Sequence, residues 1–114
     1  MKLAMDNPST IFGTATRTKT LLTIYMLEET YPSQVALVLD VRVYLVQRAV
    51  ESLEADGLIV TRLEGNQRRL SMNPRSKYRK ELEALLQKMA IRSVDLQERL
   101  GQIRRRPRKI GKEI

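Results

Sequence analysis

The sequence predicts a mainly α-helical chain carrying one small β-hairpin, an α+β fold, and three patterns carry that expectation. Val46, Val50 and Leu53 stand at helical spacing ahead of Gly57, which is placed to end their helix. Residues 59–72 alternate between apolar and polar on either side of Gly65-Asn66, the form of a hairpin around a tight turn. Leu82, Leu86, Met89, Ser93, Leu96, Leu100 and Ile103 repeat at spacings of 4, 3, 4, 3, 4, 3, a heptad seam with one polar member. At 114 residues the chain is long enough for one modest core.

Taken in order, residues 1–11 lack periodicity and are expected to form a loose arm. Thr14 or Thr16 can cap a helix running to about Glu29 that buries Leu21, Leu22, Ile24 and Tyr25. Five threonines between positions 14 and 23 lower its intrinsic propensity, so packing must hold it. Tyr31-Pro32 interrupts the chain in an extended segment, and Ser33 is placed to cap a short helix through Leu39, with Val35, Ala36, Leu37 and Leu39 as its apolar content. After a break at residues 39–43, a helix follows from about Val43 to Asp56. Two helices joined by so tight a turn read as a helix-turn-helix, with Asp40 at the turn because Asp tolerates the left-handed conformation.

In the hairpin, a Gly65-Asn66 turn sets Leu63 opposite Arg68, Thr61 opposite Leu70 and Ile59 opposite Met72 on an inner side. Arg62 then opposes Arg69 on the outer side, an unfavourable pairing that makes sense with an anion between the two. Asn73-Pro74 ends the hairpin. From Ser76 a single helix is expected to carry the seam to residue 103, and so long a helix has little of its own domain to lie against. Leu82, Leu86, Met89, Leu96, Leu100 and Ile103 therefore read as a dimer interface, the alternative being that the helix's first half packs on its own domain and the rest is solvated or frayed, and residues 104–114 read as a disordered basic tail. The expected division is arm 1–11, a helix-turn-helix and hairpin domain 12–75, dimerisation helix 76–103 and tail 104–114.

Composition narrows the function. Cys and His are both absent, so the common zinc sets, Cys-His pairs and the Ser-His-Asp triad cannot be built, and no Gly-rich phosphate loop is present. An enzyme, a bound metal and a cofactor are not expected. No apolar run reaches the roughly 18 residues of a membrane span, and the N-terminus lacks a signal-peptide core, so a cytoplasmic protein is expected. The net charge is +8, yet residues 62–80 and 99–114 each carry +6, leaving the remaining segments at −4. Positive charge gathered in this way is expected of a chain whose partner is a polyanion.

The stretch "YPSQVALVLDVRVYLVQRAVESLEADGLIVTRLEGNQRRLSMNP" resembles the winged helix-turn-helix transcription regulators of bacteria and archaea, notably the ArsR-like and MarR-like groups. Within it, "VQRAVESLEADGLIVTRLEGNQRRLSMNP" is similar to their recognition helix, the step into the sheet and the wing. "IFGTATRTKTLL" resembles the usual opening of their first helix. The resemblance covers about residues 11–86. Arg42 stands where the group often has Ser and Asp40 where Gly is common, and without Cys or His the metal-sensing mode is not inherited.

The resemblance implies double-stranded DNA as partner, and hence a place at the nucleoid; the expected homodimer rests separately on the seam at 82–103. A helix in the major groove would present Val43, Tyr44, Gln47 and Arg48 to base edges, since Gln suits adenine, Arg suits guanine, and Val or a Tyr ring can touch a thymine methyl. Glu51, one turn on, would orient an arginine or face water. Arg42, Arg62, Asn66, Gln67, Arg68 and Arg69 would meet the backbone or minor groove, with Arg17 and Lys19 near the first helix as further phosphate contacts. Two other readings stand beside this one: a DNA-binding module for plasmid or phage replication or chromosome architecture, and a winged-helix protein-interaction module.

Overall fold

The computed structural model describes residues 10–105, with side chains through 103. The predicted arm and basic tail lie almost wholly outside these residues. The chain forms α1 (Ala15–Leu27), β1 (Glu29–Thr30), α2 (Pro32–Leu39), α3 (Val43–Ala55), β2 (Ile59–Glu64), β3 (Gln67–Met72), α4 (Arg79–Arg92) and α5 (Val94–Arg105). It is mainly helical with a three-stranded antiparallel sheet in the order β1-β3-β2.

Threonines give α1 its entry. Thr14 is the N-cap and accepts from Arg17 N–H at 3.0 Å, while buried Thr18 accepts from Phe12 N–H at 3.1 Å. Leu21, Leu22 and Ile24 are buried as expected, with Tyr25 half-buried. The helix ends on Glu28, whose φ of 71° and ψ of −51° lie in a strained region for a residue with a Cβ. Glu28→Gly is expected to stabilise the fold by about 1 kcal/mol in urea unfolding, because Gly takes this conformation without the penalty. An unchanged or lower midpoint would show that the Glu28 side chain offsets the strain.

β1 then pairs Glu29 with Ser71 and Thr30 with Leu70, a third strand that the sequence showed only as an extended break. The next helix begins two positions earlier than a Ser33 cap implies: Tyr31 is its backbone cap and Pro32 occupies the first turn, where a missing N–H costs nothing. Asp40 does take the left-handed turn, at φ 57° and ψ 50°. Gly57, at φ 77°, turns the chain from α3 toward β2. The hairpin has the predicted register, Arg62 opposite Arg69 included. Leu63, expected on an inner side, is 74% exposed because the hairpin runs past the end of the core at Ile59 and Leu70.

The last helix departs most from expectation. It breaks at Ser93, whose hydroxyl donates to Met89 O, and α5 folds back toward α2. Leu82, Leu86, Met89, Leu96 and Leu100 are buried in one cluster with Leu21, Val35, Val46, Leu53 and Leu70, and Ile103 packs against it. The seam assigned to a partner subunit is thus buried within the chain itself. A folded-back α5 supplies the surface that a straight helix would have lacked. Arg99 secures it by donating to Val38 O at 2.7 Å, a carbonyl in the open C-terminal turn of α2.

Candidate nucleic-acid interface

The face of α3 turned away from the core is set by helical periodicity. Val46, Ala49, Val50 and Leu53 are buried, which leaves Val43, Tyr44, Gln47 and Arg48 together on the exposed side. Arg48 Nη1 donates to the Tyr44 hydroxyl at 2.8 Å, and its guanidinium carbon lies 5.7 Å from the Tyr44 ring centroid. Four residues apart on a helix, these side chains can stack, so Tyr44 orients the arginine. Gln47 has no side-chain hydrogen bond among the described residues. Leu45, also exposed, adjoins this face.

Arg42 is the backbone N-cap of α3, and its side chain makes no capping bond. It is exposed and, like Lys19, has no ion pair among the described residues. Asn66 and Gln67 are exposed at the tip of the hairpin.

The remaining arginines expected to meet phosphate are engaged by the chain's own carboxylates. Arg62 donates to Glu64 through Nε and Nη2, at 3.1 and 2.7 Å. Arg69 donates to the other oxygen of Glu64 at 2.8 Å, to Glu29 at 2.7 Å and to the Tyr31 hydroxyl at 3.1 Å. The anion between the opposed arginines is therefore Glu64, and Glu29 ties β1 to the same network. The hydrogen bonds from Arg62 and then Arg69 hold the Glu64 carboxyl below its ordinary range, and the bond to Glu64 raises Arg69 in return. Arg68 reaches Glu54 at 3.3 Å, and Glu54 also accepts from Thr61 at 2.8 Å. Of the two expectations for Glu51 the second holds, since it is exposed with no ion pair among the described residues, and an arginine is oriented instead by Glu54, one helical turn nearer the hairpin.

Arg17 departs furthest from its expected role. Its guanidinium donates to Asp56 at 2.5 Å and to Ser52, joining α1 to the last turn of α3, and its side chain is only 17% exposed. Its place is structural: it fixes the angle of α3 rather than facing outward. Arg17→Ala should cost about 1–2 kcal/mol of stability in urea unfolding, since Asp56 and Ser52 both lose a charged donor. Unchanged stability together with weakened DNA binding would return Arg17 to the phosphate contacts.

Glu29, Glu54, Glu64 and Asp56 are the residues that the sequence reading missed. Only Glu64 left a signal, two positions from Arg62 and hence on the same strand face. Among the described residues there is no group of three His, Cys, Asp or Glu that could hold a metal, and no helix is long and apolar enough to cross a membrane. Comparison with protein-family models, curated proteins and solved structures finds none that matches this chain.

Proposed function

We propose that this chain is a winged helix-turn-helix protein that binds double-stranded DNA sequence-specifically and regulates transcription as a homodimer. In this reading α3 enters the major groove and the β2–β3 hairpin lies along the backbone or adjacent minor groove. The observation that carries it is the outer face of α3. Val43, Tyr44, Gln47 and Arg48 are exposed together next to a left-handed turn, and the fold uses none of them for its core. An amide and an oriented guanidinium one position apart match the edges of adenine and guanine.

Selection of duplexes by the pure protein, followed by anisotropy titration of the best sequence and of random DNA, tests the reading. A specific site should bind at least about 10³-fold more tightly than random duplex. A ratio near one would favour chromosome architecture, and no binding at low salt would remove DNA altogether. Arg48→Ala is expected to cost about 1–3 kcal/mol and to relax preference at one base position. Tyr44→Phe, which keeps the ring and removes the oxygen holding Arg48, should show part of that loss at the same position. Uniform weakening across all sequences would instead make Arg48 a phosphate contact.

A further inference from the structure

The heptad seam crosses the break at Ser93 without losing register, although α4 and α5 lie folded against one domain. Ser93 has φ −97° and ψ 72°. A helical residue has ψ near −42°, so rotation about essentially one torsion joins the two helices. Neither Gly nor Pro stands at the break: Arg92, Ser93 and Val94 are all compatible with a continuous helix. Once straightened, the helix carries Leu96, Leu100 and Ile103 beyond the edge of the home domain, still in line with Leu82, Leu86 and Met89.

The geometry points to a dimer formed by exchange of α5 between two copies. Each straightened helix lays its second half on the partner's α2, in the place that the partner's own α5 has left. The contacts of α5 with α2 and the core are remade there, including burial of Leu96 and Leu100 and the bond from Arg99 to the Val38 carbonyl, and only those of the hinge itself are lost. The fold itself therefore loses little, which is why exchange of an identical element is a low-cost route to a dimer.

Charge at the hinge favours the straightened helix. Arg92 closes α4 and Asp95 opens α5; both are exposed, and neither is in an ion pair among the described residues. In a continuous helix they stand three positions apart on one face and can pair with each other. Ile91 and Val94, 64 and 57% exposed in the folded-back form, lie on another side of the same turn, where the second straightened helix can cover them.

Sedimentation of the full chain across protein concentration, before and after refolding from urea at high concentration, tests the exchange without reference to DNA. The expected result is a dimer favoured by concentrated refolding that returns to monomer only slowly after dilution, because α5 must leave a core to exchange. Ser93→Ala should raise the association constant about fivefold, as both chains gain the helix preference of Ala over Ser. Inserting Gly-Ser-Gly-Ser after Ser93 lets α5 close on its own domain and should give monomers, with circular dichroism confirming that the helices remain. A chain that stays monomeric throughout would overturn the exchange. So would a dimer whose population the folded insertion variant leaves unchanged, since that outcome shows two closed copies meeting face to face.

Discussion

Leu86→Ala should lower the unfolding free energy by about 2–5 kcal/mol, the range for emptying a fully buried leucine site. Leu86 lies on α4 with no solvent exposure and shares one cluster with α1, α2, α3 and the sheet. Because Leu86 and the buried residues of α1, α2, α3 and the sheet belong to one chain whether or not α5 is exchanged, the loss should be the same at every protein concentration. For a domain of this size it corresponds to a fall in melting temperature of roughly 10 °C or more. A loss that disappears on dilution would restore the seam to a partner subunit. The effect should also exceed that of Arg17→Ala, since a cavity in the core has no solvent to fill it, whereas Asp56 can turn toward water. In either form of the hinge Leu86 stays on its home domain, so this result is independent of whether α5 is exchanged.

What the sequence could show follows the range of the interactions involved. The hairpin register was legible because Gly65-Asn66 fixes the pairing locally, and Asp40 was legible because few side chains tolerate its conformation. The α+β class and the exposed side of α3 follow from periodicity within single elements. Two-residue β1 was not visible, since Glu29 and Thr30 become a strand only through their pairing with Ser71 and Leu70. The break at Ser93 was hidden for a different reason: a heptad pattern reports which residues face one way, and it is satisfied equally by a straight helix and by one folded back. The roles of the arginines were least legible. Arg17 and Asp56 are 39 positions apart and Arg68 and Glu54 are 14 apart, so charge counted along the chain took as free what the fold has paired.

That pairing sets the strength and salt dependence expected of the proposed dimer–DNA complex. By sequence, Arg17, Lys19, Arg42, Arg62, Arg68 and Arg69 were all available to phosphate. Arg17, Arg68 and Arg69 are held by Asp56, Glu54, Glu64 and Glu29, and each would have to give up an existing ion pair to reach DNA. Lys19 and Arg42 have no ion pair among the described residues, and Arg62 is 65% exposed with one carboxylate partner. Three such cations in each of two copies correspond to about six phosphate contacts, for which affinity should fall about 10³-fold between roughly 50 and 200 mM salt. A loss nearer 10⁵-fold, the response of about ten contacts, would mean that DNA draws Arg68 and Arg69 away from their carboxylates or that further basic residues join the interface. Glu64→Gln combined with Glu29→Gln distinguishes those two causes. The pair removes the carboxylates that hold Arg62 and Arg69, so the double variant should steepen the salt dependence by about one contact per copy where Arg69 was not in use and leave a complex already using Arg69 almost unchanged. A binding constant that does not respond to salt would sink the proposed interface, because a phosphate-neutralising complex must release counterions when it forms.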